Sequence, residues 1–248
     1  MHELIHLDTV DSTNEYLKRL SRDAQDGLTV WADEQTLGKG RLGRRWVSQR
    51  GQGAWFSVIV KDARLPPQNA SGLVFVCALA AARSLAKLAA STKLSIKWPN
   101  DIVLNGKKIA GILCESGYEG DTLSWSICGI GINLTGLTFP PELPWAASIA
   151  SETGVQLKCL DVIEEFLSAF DTGLETLFAN GLGAVLNEIK PLSATLGKTV
   201  SADMHGESLI GKAIDFAPDG ALLIEAGGTI HKINVGDVSV RGVMGYVN

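Results

Sequence analysis

Three clusters in this sequence carry side chains that could do chemistry. The first is Gly38-Lys39-Gly40-Arg41-Leu42-Gly43-Arg44-Arg45-Trp46, in which four of the eight residues from Gly38 to Arg45 are basic. Glycines let backbone N–H groups approach a ligand closely. Consecutive N–H groups and guanidinium forks together make a concavity for phosphate. Trp46 offers a ring on which a nucleobase could stack. The second cluster is Lys97-Trp98-Pro99-Asn100-Asp101, followed by Gly106-Lys107-Lys108-Ile109-Ala110-Gly111-Ile112. It sets a carboxylate and an ammonium at the mouth of a strand pair. The third, Gly129-Ile130-Gly131-Ile132-Asn133, lets a strand pass close to a ligand or marks tight packing. Each cluster alone also reads blandly, as a solvated basic loop, a capped turn or a packed strand.

Two common nucleotide motifs fail here. Gly38, Gly40 and Gly43 formally match the dinucleotide fingerprint, and Asp62 falls near its acidic position. That fingerprint needs a strand immediately before it and a helix immediately after. Asp33-Glu34-Gln35-Thr36 separates it from the expected strand, and Gly51 and Gly53 make poor helix material. Gly197-Lys198-Thr199 resembles the end of a P-loop, but position 192 is Leu where glycine is needed.

The pattern also indicates the elements that must position these clusters. Residues 3–10 read as a strand, and Asp11-Ser12-Thr13-Asn14 offers N-cap side chains to a helix carrying Tyr16, Leu17 and Leu20. Strands are expected at Leu28–Ala32 and Ala54–Val60, with a loop over 36–53 that holds five glycines and no acidic residue. Ser71–Ala90 reads as a buried helix. Further strands are expected at Leu94–Lys97, Ile102–Leu104, Ile109–Glu115 and Thr122–Ile132, with Asn105-Gly106 as a hairpin turn. Residues 138–145 carry three prolines and read as loop. The spacing of Ile163, Phe166, Leu167, Phe170, Leu174 and Leu177 predicts a helix over 160–178, and a shorter helix is expected at Leu182–Ile189. After Lys190-Pro191 only short strands and turns remain: Lys198–Ala202, Leu209–Phe216, Ala221–Glu225, Thr229–Val235 and Val238–Arg241. They suggest a small barrel.

Composition narrows the function classes. The chain has 248 residues, 46% hydrophobic and 20% charged, with a net charge of −5. This is a globular composition, and the acidic balance disfavours nucleic acid as a partner. The cysteines Cys77, Cys114, Cys128 and Cys159 have no zinc-ligand spacing and read as buried small hydrophobes, consistent with a reducing compartment. No secretory signal is visible. The apolar run Leu73–Ala82 is too short to span a bilayer, so a cytoplasmic location without a membrane partner is expected.

Taken together and in order, the clusters closely resemble those of the biotin–protein ligases over essentially the whole chain. The resemblance implies an α+β fold, with a class II synthetase-like mixed sheet flanked by helices. It implies a catalytic domain over 1–192 and an SH3-like C-terminal barrel over 193–248. The implied reaction activates biotin with ATP to biotinyl-5′-AMP, then transfers biotin to a lysine of a biotin carboxyl carrier protein of acetyl-CoA carboxylase. Ser12, Thr13, Asn14 and Gln35 then match positions that bind the ureido head, which hydroxyl and amide groups suit. Trp31 or Ile112 would pack the ring and chain. Lys39, Gly40, Arg41, Lys108 and Gly111 match biotin-binding positions near the carboxyl–phosphate junction. Gly38, Arg41, Arg44, Trp46 and Asn133 match ATP-binding positions. Lys39 stands where an arginine is usual, which removes fork geometry there.

Lys108 matches the essential lysine, and Arg41 and Asp101 complete the catalytic set. Asp101 would orient or deprotonate the carrier lysine or hold Mg²⁺. The resemblance also implies a loop over 38–53 that is mobile without ligand. Because the motifs begin at Asp11, no N-terminal DNA-binding domain and no operator binding are expected. A monomer or a homodimer is equally compatible. The rival of the same architecture is a lipoate or octanoate ligase. Rivals of other classes are a non-catalytic biotin or nucleotide sensor and a nucleic-acid-binding role for the basic loop.

Overall fold

Every residue of Gly53–Val60 is buried, so this strand is covered on both faces and must lie inside a sheet. In the computed structural model, which describes residues 2–90, 93–136, 138–204, 207–235, 239–242 and 246, it is the third strand of seven. The strands are β1 (Leu4–Val10), β2 (Thr29–Gln35), β3 (Gly53–Val60), β4 (Leu94–Lys97), β5 (Asp101–Leu104), β6 (Lys107–Glu119) and β7 (Thr122–Asn133). Their order is β1-β2-β3-β7-β6-β5-β4. β1 and β2 run parallel and the other neighbours antiparallel, so the sheet is mixed.

Successive side chains on a strand point to opposite faces, and the two faces here have different tasks. Phe56, Val58, Cys128 and Ile130 join the main core with α2 (Leu73–Leu88) and α4 (Cys159–Asn180). The opposite face carries Ser57, Gly129 and Gly131. It receives α1 (Thr13–Leu20), which packs Leu17 against Ile59 and Ile127 in a second cluster. α2 is alanine-rich and twelve of its residues are buried. With the 3-10 turn before it, Pro67–Leu88 is helical for 22 residues, long and apolar enough to cross a bilayer by length and composition. The ten-residue apolar run understated that length, but most of the helix lies inside the core.

Two short helices complete this layer. α5 (Leu182–Ile189) falls where the sequence places it. α3 (Ile149–Thr153) was not expected; it rests on a reciprocal capping box between Ser148 and Ser151. The Asn105-Gly106 turn has positive φ at both residues, 51° and 79°, as a two-residue hairpin with a right-handed twist needs.

The C-terminal strands β8 (Thr199–Met204), β9 (Glu207–Phe216), β10 (Leu222–Ala226), β11 (Thr229–Ile233) and β12 (Ser239–Gly242) form a separate antiparallel sheet, ordered β11-β10-β9-β8-β12. Val238, the expected start of the last strand, lies outside the described residues. This sheet docks on the larger one. The Trp98 indole donates to the Gly220 carbonyl at 2.9 Å, and Ala194 N–H donates to the Ile96 carbonyl at 2.9 Å. Gly220 has φ of 85°, and a Cβ there would lie 2.2 Å from the Phe75 ring.

Candidate active site

A pocket lies over the glycine-bearing face of the sheet, between α1, the 36–52 loop and the β5–β6 hairpin. The floor at one end is lined by neutral groups held in a hydrogen-bond network. Gln35 Oε1 accepts from the Thr13 backbone N–H at 2.9 Å and faces the Thr13 hydroxyl at 3.2 Å. Gln35 Nε2 donates to Ser48 Oγ at 2.9 Å. The Ser57 hydroxyl lies 2.6 Å from Asn14 Oδ1 and 2.7 Å from Thr13 Oγ1. Asn14 Nδ2 donates to Glu115 at 2.8 Å and to the Leu113 carbonyl at 3.3 Å. Ser12 stands at the helix N-cap without a side-chain capping bond.

The glycines of β6 and β7 explain how these groups come so close. A Cβ at Gly129 would lie 2.1 Å from Asn14 Oδ1. Gly111 and Gly131 are direct cross-strand partners, and the Trp46 indole lies on both. A Cβ would come within 2.9 Å of that ring at Gly111 and 2.5 Å at Gly131. The strand thus passes close to protein side chains, not only to a ligand. Trp46 also meets Trp55 edge-on at 6.3 Å, and its buried indole N–H has no partner among the described residues.

The other end is charged. Lys108 Nζ lies 2.5 Å from Asp101 Oδ1. The Tyr246 hydroxyl donates to Asp101 Oδ2, and the Tyr246 ring stacks on Trp145 with Lys97 Nζ 4.1 Å from its centroid. Burial raises the proton affinity of Asp101, but the charges of Lys108 and Lys97 and the bonds from Lys108 and Tyr246 outweigh it. They hold the carboxyl below the usual carboxylate range. Backbone bonds fix Lys108 on both sides: its N–H donates to the Trp145 carbonyl and its carbonyl accepts from Ala147, at 2.8 and 2.9 Å. Arg41 Nη1 donates to Asn100 Oδ1 at 2.9 Å. Its Nη2 is buried without a partner among the described residues. Burial lowers the Arg41 pKa while Asp101 opposes the shift. Asn133 donates to the Ala147 carbonyl at 2.9 Å, and its buried Oδ1 also lacks a partner among the described residues.

The pocket therefore brings together Ser12, Thr13, Asn14, Gln35 and Ile112 with Lys39, Gly40, Arg41, Arg44 and Trp46, and with Asp101, Lys108, Gly111 and Asn133. Gly38 is not a lining residue. A Cβ there would lie 2.5 Å from the Trp46 carbonyl, so it serves the loop's own closure. Lys39 Nζ is paired with Glu15 at 2.7 Å. Trp31 is stacked on His6 at 3.9 Å, and only Ile112 of that pair lines the pocket. β2 extends to Gln35, nearer the glycine loop than expected. The glycines lead into a 3-10 turn, Arg41–Gly43, and the chain then continues to β3, so the dinucleotide fingerprint still lacks its helix.

Sequence reasoning missed Ser57, Trp145 and Tyr246. Ser57 had a usable signal, a lone polar residue inside an apolar strand. Trp145 sat in a proline-rich loop with no distinguishing pattern, and Tyr246 had none.

Neutral floor groups that end in a lysine and a guanidinium with one unanswered nitrogen are chemistry that suits a carboxylic acid with a polar, uncharged head, beside an anionic co-substrate. The chain belongs to the biotin/lipoate A/B protein ligase family. The family model matches residues 7–133, and a second model, the biotin protein ligase C terminal domain, matches residues 195–241. The bifunctional ligase/repressor BirA of Bacillus spizizenii is 33% identical over 241 residues, covering 96% of this chain and 74% of that protein. The biotin–[acetyl-CoA-carboxylase] ligase of Paracoccus denitrificans is 34% identical over 210 residues, 79% of this chain and 85% of that one. Among solved structures, the biotin protein ligase from Aquifex aeolicus in complex with biotin and ATP aligns with a TM-score of 0.83 and 30% identity, covering 97% of this chain and 99% of that one.

Proposed function

We propose that the chain is an ATP-dependent biotin–[biotin carboxyl carrier protein] ligase. The observation that carries this reading is the half-buried Arg41, whose buried Nη2 has no partner among the described residues, lining one pocket with Lys108 at the end of the neutral floor. Biotin lies with its ureido head on the floor of Ser12, Thr13, Asn14 and Gln35 and its carboxylate toward Arg41 and Lys108. The carboxylate oxygen attacks the α-phosphorus of ATP, and pyrophosphate leaves. The carrier lysine then attacks the acyl carbon of biotinyl-AMP, forming the amide and releasing AMP. Lys108 and Arg41 stabilise the negative charge that develops in both steps, and preorganised donors of this kind are worth most in a dry site. Gly38, Arg44, Trp46 and Asn133 serve the ATP side, Gly38 by holding the loop's shape. The 38–53 loop orders over the ligands and keeps water from the adenylate.

Asp101 is held as a carboxylate, which makes it a poor proton acceptor at neutral pH. Its role is to hold Lys108 in place and orient the carrier lysine, which attacks as the neutral amine after losing its proton to solvent. It does not fit as a direct Mg²⁺ ligand. It is the single carboxylate lining the pocket among the described residues; Tyr246 donates to its Oδ2, and the Lys108 ammonium, 2.5 Å from its Oδ1, already balances its charge. ATP is expected as its magnesium complex, with no Asp101–metal bond. The domain boundary near residue 192, the SH3-like character of the C-terminal sheet and the cytoplasmic location belong to the same reading.

The test is pyrophosphate release from Mg-ATP with biotin, lipoate or octanoate, followed by mass analysis of the bound adenylate. Release with biotin alone supports the reading. Release with lipoate or octanoate moves the chain to the rival ligase, and tight biotin binding without release makes it a sensor.

A further inference from the structure

Directly behind the pocket, on the far face of the same sheet, three cysteines from three elements converge. Cys114 of β6 and Cys128 of β7 are direct cross-strand partners. Both main-chain groups of Ile112 are turned to Asn100. Cys114, two residues on, shares that orientation, so it faces Cys128 as a non-hydrogen-bonded pair. In such pairs the side chains stand closest. Their sulfurs lie 3.6 Å apart. Cys77 of α2 comes down on them, and all three Sγ atoms lie within 4.8 Å of one another. A metal–sulfur bond of about 2.3 Å puts the sulfurs of a trigonal centre about 4.0 Å apart. One separation is 3.6 Å and none exceeds 4.8 Å, so no large movement is needed to fill the site.

The surroundings select the ion. Cys77 and Cys128 are fully buried in the main apolar core, and Cys114 is packed against it. The cluster contains no histidine or carboxylate. An all-sulfur donor set suits soft d¹⁰ ions, whereas zinc sites are completed by a fourth ligand. An uncompensated charge is costly in an apolar core. Bound through one thiolate and two neutral thiols, a monovalent cation would leave the centre without net charge.

We propose that Cys77, Cys114 and Cys128 form a binding site for a monovalent soft cation of the copper(I) class. On binding, one sulfur–metal bond forms at Cys128 and its proton leaves to solvent. Cys77 and Cys114 complete the centre through sulfur lone pairs. No electron is transferred. The site lies one residue behind Leu113 and Gly129, the two backbone positions against which Asn14 rests.

The test is anaerobic titration of the full reduced chain with copper(I) against a chromophoric copper(I) chelator. The expected result is one copper(I) withdrawn per chain. Cys77→Ala, Cys114→Ala and Cys128→Ala should each lower the affinity at least tenfold, and Cys159→Ala should leave it unchanged. Cys→Ser variants that keep biotin binding provide folded controls should an alanine variant fail to fold. The proposal is overturned if the wild type leaves copper(I) with the chelator, if zinc(II) is retained and copper(I) is not, or if any folded triad variant binds within twofold of the wild type.

Discussion

The two ends of the pocket are built on different principles. At the α1 end, the hydrogen bonds of Thr13, Asn14, Gln35 and Ser57 are answered by one another, by Ser48 and by Glu115 before any ligand arrives. At the β5–β6 end, Arg41 Nη2 and Asn133 Oδ1 are buried and unanswered among the described residues, and Lys108 is paired with Asp101. A finished network holds a shape, and shape is what recognition of a neutral head requires. An unfinished one keeps binding capacity in reserve for charge that appears during reaction. Buried groups without partners cost about 1–3 kcal/mol each, a cost that ligand removes.

Substitutions at the two ends should therefore fail differently. The largest effect is expected from Lys108→Ala, which should slow pyrophosphate release about a thousandfold. Biotin affinity should change little, and an equal loss in both would erase the contrast between the ends. Gly129→Ala should do the reverse. Its Cβ displaces Asn14, at about 1–3 kcal/mol for overpacking, lowering both the melting temperature and biotin affinity. With saturating biotin, the turnover rate should be largely retained. Ser57→Ala sharpens the point, because it withdraws one donor from Asn14 and Thr13 without adding bulk. A stability loss of about 1–2 kcal/mol, read by urea titration, is expected, with a parallel loss in biotin binding.

pH distinguishes the ends as well. The depressed pKa of Asp101 means that its contribution to stability is present above the unfolded carboxylate value, about 3.9. It is lost as the pH falls through the lower folded value. Asp101→Asn should flatten the acid limb of the stability curve. The wild-type transfer rate should show no carboxylate ionisation between about pH 5 and 8, and a break there would restore Asp101 as a base. The smallest effect belongs to Lys39→Ala. Lys39 is half-exposed and paired with Glu15, so the loss should stay within about 1 kcal/mol, checked by KM for biotin.

Much of this arrangement was legible in the sequence, for identifiable reasons. β4 and α5 fall on their expected bounds because flanking breakers punctuate them. The glycine, lysine and arginine clusters were legible because residue type limits what a position can do. Long-range partnerships were not. Nothing local says that Gly129 exists for Asn14, 115 positions earlier, or that Gly111 and Gly131 are bare so that Trp46 can lie on them. Cys77 and Cys128 are buried in the core as the sequence reading has it, but their convergence was not legible, for the same reason. The linear spacing of the cysteines excludes a zinc motif, while strand pairing and a helix crossing bring three of them together. α3 was hidden because five residues carry too little periodicity, although its capping serines were there to be read.

The docking of Trp98 has a consequence for dissecting this molecule. Its indole N–H is answered by Gly220, and its backbone N–H by the Thr195 hydroxyl at 3.0 Å. Trp98 stands three residues before Asp101 on the chain that delivers that carboxylate. Cutting the chain after the larger sheet would strand two buried donors there and uncover Phe75, which Gly220 touches. The smaller sheet is thus part of the wall of the larger one. The two should melt in a single transition, and neither half should be expected to behave as a spare part.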